Sequence, residues 1–153
     1  MVLAAEDLLS WFQGMSLLAA NAGRMTFPGM CGITFGAGEN PDPNIVSYST
    51  FKSILLALLP IWDATYAQAY TSDLQAHFDK QWPHSPSWMT YLSTPLAAEI
   101  TLPSDVAMEE VEGSGLLMSA TEETFDASNP VHLAASERIS RALAPLNEKM
   151  RPR

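Results

Sequence analysis

Residues 106–121 read VAMEEVEGSGLLMSAT, and how this stretch folds decides the rest of the chain. Two runs of extended-chain character flank Gly113-Ser114-Gly115, which is turn chemistry between two strands and predicts a β-hairpin. The second arm, GLLMSAT (115–121), is apolar enough to be a buried strand. In the first arm, side chains alternate between the two sides of a strand. Val106, Met108, Glu110 and Glu112 fall on one side; Ala107, Glu109 and Val111 fall on the other. Neither side is cleanly apolar. Carboxylates on both sides place this arm at or near a sheet edge, where charge discourages self-pairing.

Outward from the hairpin, the periodicities change. WMTYLS (88–93) has the aromatic and β-branched content of a strand, and CGITFG (31–36) that of a shorter one. Asn129-Pro130 places a capping residue before a proline at the first helical position. The helix that follows buries Leu133, Ala135, Ile139, Ala142, Leu143 and Leu146. Ser49 or Thr50 caps a long helix with apolar residues at Phe51, Ile54, Leu55, Leu58, Leu59 and Trp62. Pro60 should kink it or restart it, with helical structure continuing through Tyr66, Tyr70 and Phe78 to about Lys80. A further helix is expected over 6–20. The fold class is therefore α+β. A small antiparallel sheet of three to four strands is packed on one face by a long kinked helix and a C-terminal helix. One domain spanning residues 1–153 is expected at this length.

Charge is unevenly distributed. The net charge is −9, and charged residues are 16% of the chain, against about 25% in a typical domain. Residues 81–137 hold nine acids and no Lys or Arg, while the rest balances eight acids with eight bases. The whole negative charge lies in one block. Such a field repels phosphate backbones, which argues against direct nucleic-acid binding, and attracts basic partners.

Cys31 is the only cysteine, which precludes an intramolecular disulfide framework and a cysteine zinc site and fits a reducing cytoplasm. Ala20-Asn21-Ala22 resembles a signal-peptide cleavage site, but the first charges are Glu6 and Asp7 where an export signal needs cations. The longest apolar run, Ile54 to Trp62, is too short to span a bilayer.

Chemical motifs are sparse. GITFGAG (32–38) lacks the Lys-Ser/Thr ending of a phosphate-binding loop and is followed by Glu39. His77, His84 and His132 form no paired-ligand spacing, and no Asp-x-Asp-x-Asp-Gly calcium loop is present. No metal or cofactor is expected. His132 lies six residues after Asp126, which is raw material for acid–base chemistry and the basis of an alternative reading as a small hydrolase. Against it, no nucleophile elbow is present, and a first-turn histidine more simply bonds its own loop. The carboxylates Glu109, Glu110, Glu112, Glu122, Glu123 and Asp126 suit a surface that meets a basic protein. Trp82, Trp88 and Tyr91 are candidate anchors for that contact, with core packing as their competing role.

The C-terminal two-thirds also resembles a known family. Trp88-Met89 with Tyr91-Leu92, Gly115 with its strand, and Phe125-Asp126 leading to Asn129-Pro130 and His132 carry the likeness, together with Trp62 and TYAQAY (65–70). These features resemble the bacterial polymorphic-toxin immunity proteins of family fifty-two over residues 48–145, with a poorly matching stretch over 1–30. The resemblance implies a cytoplasmic, non-enzymatic protein. Its expected partner is a secreted toxin with a restriction-endonuclease-like domain, often delivered by type VI secretion. It implies stoichiometric neutralisation and brings no catalytic residues. An acidic adaptor for some other basic protein is the alternative, and a homodimer through an incomplete sheet edge is a further expectation.

Overall fold

The computed structural model describes residues 18–22, 29–33, 46–71, 73–74 and 86–150. The strands are β1 (Leu18–Ala22), β2 (Gly29–Ile33), β3 (Ala64–Ala69), β4 (Met89–Ser93), β5 (Ala107–Val111) and β6 (Gly115–Ser119). The helices are α1 (Tyr48–Trp62), a short α2 (Thr94–Ala97) and α3 (Pro130–Met150). The class is α+β. β3, β4, β6 and β5 form a contiguous antiparallel sheet with α1 and α3 packed on it, and β1 and β2 continue it beyond β3 in the order β2-β1-β3-β4-β6-β5.

Strand alternation shows where the helices sit. Met89 and Tyr91 of β4 pack with Phe51, Leu55 and Leu59 of α1. Leu92 of β4 and Met118 of β6 pack with Ile139, Leu143 and Leu146 of α3. Successive strand residues point to opposite faces, so α1 covers one face of the sheet and α3 the other, rather than both sharing one. Four of the five β4 residues are buried for this reason. A strand covered on both sides reads as a nearly continuous apolar run, which MTYLS does.

Both long helices start on side-chain caps, but α1 is capped by Ser47 and not by Ser49 or Thr50, which lie inside its first turn. Ser47 caps α1 through its hydroxyl, which accepts from the Thr50 N–H at 3.3 Å. α1 ends at Asp63, in left-handed conformation with φ 47°, whose N–H returns to the Leu59 carbonyl. At α3, the Asn129 side chain accepts from the Val131 N–H at 2.9 Å, and the Asn129 carbonyl accepts from Leu133 at 3.1 Å.

Three further expectations are corrected. The long helix ends at Trp62, because residues 64–69 are strand β3, hydrogen-bonded between β1 and β4, and residues 75–80 of its expected continuation lie outside the described residues. ATYAQA carries no strand period, being buried on both faces at every position but Thr65. Residues 18–20, expected to end an N-terminal helix, belong to β1; residues 6–17 of that helix lie outside the described residues. The expected strand at 31–36 is observed as Gly29–Ile33. The hairpin and its edge position are as expected, since among the described residues β5 ends the sheet and pairs with β6 alone.

Candidate partner-binding surface

The hairpin is built around a three-residue turn. Val111 pairs with Gly115, Gly113 is left-handed at φ 69°, and the Ser114 N–H returns to the Val111 carbonyl at 2.9 Å. Gly115 must be glycine for a second reason: a Cβ there would lie 2.0 Å from the Leu92 carbonyl oxygen of β4. The close approach of β4 and β6 that this permits sets the hairpin firmly on the sheet.

Trp88 and Tyr91, expected among the partner contacts, are buried instead. Trp88 is 0% exposed and Tyr91 2%. Their rings belong to the α1-side core, where Trp88 stacks at a tilt against Phe51 with centroids 5.2 Å apart. Their polar atoms secure the hairpin from beneath. Trp88 Nε1–H donates to the Thr121 carbonyl at 3.0 Å, and Tyr91 O–H donates to the Ser114 carbonyl at 3.1 Å. One aromatic thus holds the start of the acidic loop and the other holds the turn. Burial of each ring removes it from water, while its polar tip finds the partner that burial demands. Trp82 lies outside the described residues.

All six carboxylates are exposed, but they do not form one cluster. Glu109 is on the α1 face, where Lys52 of α1 forms an ion pair with it. The hydrogen bond that Lys52 donates to Glu109 is the main cause that raises the Lys52 pKa, and Glu122 is felt at the same ammonium. Glu110 alternates onto the α3 face, and Glu112 sits in the turn. Glu123 and Asp126 gather at His132. Along β5, five residues of rise separate the turn from the Ala107 end by roughly 16 Å.

Among the described residues, few cations pair with the acids of this part of the chain. Lys52 pairs with Glu109, Arg138 with Asp105 at 2.8 Å, and Arg141 with Glu137 at 3.7 Å. Glu110, Glu112 and Glu122 make no ion pair among the described residues. Lys52 is a contact that sequence reasoning missed. It lies 57 positions from Glu109, and no local spacing signals the pairing.

His132 is a structural residue of the loop. Its Nδ1 accepts from the Asp126 backbone N–H at 3.1 Å, its ring packs beside Phe125 at 5.6 Å, and it is 6% exposed. Nε2 faces Glu123 at 3.6 Å. The Asp126 carboxylate accepts from the Ser128 N–H at 2.8 Å and hydroxyl at 2.7 Å, and these bonds hold its pKa below the ordinary value. Imidazole and carboxylate are therefore each engaged in shaping the loop, and they do not face one another as an acid–base pair. No group of three metal-ligating side chains occurs among the described residues. None of the described helices is long and apolar enough to cross a membrane.

The acidic hairpin is thus firmly mounted, with His132, Trp88 and Tyr91 committed to structure. The family model described as Immunity protein 52 matches residues 26–147, and the chain belongs to that family. No match was found among curated proteins.

Proposed function

We propose that this chain neutralises a cognate secreted nuclease toxin by binding it stoichiometrically in the cytoplasm, with no chemical step of its own. Membership of the Immunity protein 52 family carries the reading, since an immunity protein acts on a toxin. The charge distribution supports the nature of the partner. A nuclease holds a polyanion, so its cleft is basic, and the acids of this chain are concentrated in residues 81–137 without a single Lys or Arg. Delivery of that toxin by type VI secretion belongs to the same reading.

Binding through exposed carboxylates makes association electrostatically steered, with an on-rate that falls as salt rises. The experiment takes a nuclease toxin domain from the chain's genomic neighbourhood as the candidate partner. Equimolar chain should abolish its DNA cleavage, and the pair should co-purify. Cleavage that persists with the chain in excess defeats the proposal.

A further inference from the structure

The outer edge of β5 offers more than charge. Among the described residues β5 pairs with β6 alone, and residues 107–110 are all exposed. The backbone directions follow from the turn. The Val111 carbonyl accepts from Ser114 on the β6 side, so in an antiparallel strand the N–H and C=O of Glu109 and Ala107 face β6 as well. Those of Met108 and Glu110 point outward. Two donors and two acceptors thus stand in line at the end of the sheet, with no strand beside them among the described residues.

We infer that β5 is the docking edge for an extended basic segment of the toxin, which adds to the sheet as a further strand; this rests on the immunity reading above. Main-chain hydrogen bonds supply such an association, and side chains on alternate faces select the occupant. On the α3 face, Met108, 42% exposed, and Glu110, with no ion pair among the described residues, ask for an apolar residue and a cation two positions apart. On the α1 face, Glu109 is already engaged by Lys52. A second copy of this chain suits the edge less well. Antiparallel pairing of two β5 edges in registers centred on Glu109 or on Glu110 sets carboxylate directly against carboxylate, and the register centred on Met108, which avoids this, pairs only residues 107–109 of each strand.

The test uses the full chain and the same candidate toxin domain. Met108→Pro removes one outward N–H and leaves every carboxylate and the β6 ladder in place, a substitution that an edge strand accepts. It should weaken toxin binding by about tenfold or more. Glu110→Gln should lower the association rate and flatten its salt dependence. Hydrogen exchange in the wild-type complex gives a reading that needs no variant: the amides of Met108 and Glu110 should become protected on binding. Unprotected amides in a complex that nonetheless forms and inhibits overturn the edge proposal and leave the immunity reading standing. Failure of the wild-type chain to bind the toxin at all defeats both. Protection of the same amides in the chain alone, rising with concentration, assigns the edge to a second copy and overturns the proposal.

Discussion

The backbone N–H of Asp126 donates to Nδ1 of His132 at 3.1 Å, closing the acidic loop onto the first turn of α3. That bond requires Nδ1 to be an acceptor, so the neutral ring carries its proton on Nε2, toward Glu123. The one histidine that sequence offers as a general base is thereby a brace. His132→Ala should cost about 1–3 kcal/mol, because it leaves a part-buried amide without its acceptor. His132→Asn, which can place an oxygen near the Nδ1 position, should recover part of the loss. Urea denaturation of the three proteins measures this directly.

Asp126 makes the loop sensitive to acid. Two hydrogen bonds from Ser128 lower its folded pKa, so its contribution to stability is present above the unfolded value of about 3.9. That contribution is lost as pH falls through the lower, folded value. Asp126→Asn should flatten the dependence of the unfolding midpoint on pH as pH falls below about 5, relative to wild type. Equal slopes in the two proteins would show that the Ser128 bonds do not discriminate between the charged and neutral forms.

The two hairpin glycines should behave differently. Gly113 needs only its left-handed backbone, with open space where a Cβ would be, and Gly113→Ala should cost about 1 kcal/mol. Gly115→Ala drives a methyl into the Leu92 carbonyl, which cannot yield without separating β4 from β6. A loss of at least about 3 kcal/mol, or failure to fold, is expected. Thermal melts of both variants test the contrast.

Trp88 should matter for stability and not for recognition. Trp88→Ala removes a fully buried ring and should cost about 3–5 kcal/mol, whereas Trp88→Phe, which keeps most of the packing, should bind toxin as wild type does. A large loss of affinity in a well-folded Trp88→Phe protein would return this residue to the interface.

Charge should govern the rate of association more than the stability of the fold. Lys52→Ala frees Glu109 and removes a cation from the α1 face of the hairpin. An exposed pair of this kind contributes at most about 1 kcal/mol. The variant should therefore stay folded and bind a basic toxin faster at low salt, with the difference vanishing as salt is raised. Stopped-flow association at two salt concentrations decides it.

What the sequence determined by itself was local. The Gly-Ser-Gly turn, the two-sided acids of 106–112 and the Asn-Pro start of α3 each depend on residues within a few positions of one another, so spacing alone made them legible. The edge position of β5 was legible for the same reason. The family likeness, too, was carried by residues in a recognisable order, now matched over 26–147.

Only the tertiary structure decided what depends on neighbours far along the chain. ATYAQA became a strand because β1 and β4 supply its hydrogen bonds and helices cover both of its faces, a burial that erases the period by which strands are read. Trp88 and Tyr91 went inward because α1 closes over that side of β4, although their composition would have suited an interface equally well. Lys52 met Glu109, and Arg138 met Asp105, only after the sheet order placed α1 and α3 on opposite faces. Periodicity shows which side of an element is apolar; assembly chooses what covers that side, and so which charges are left facing water.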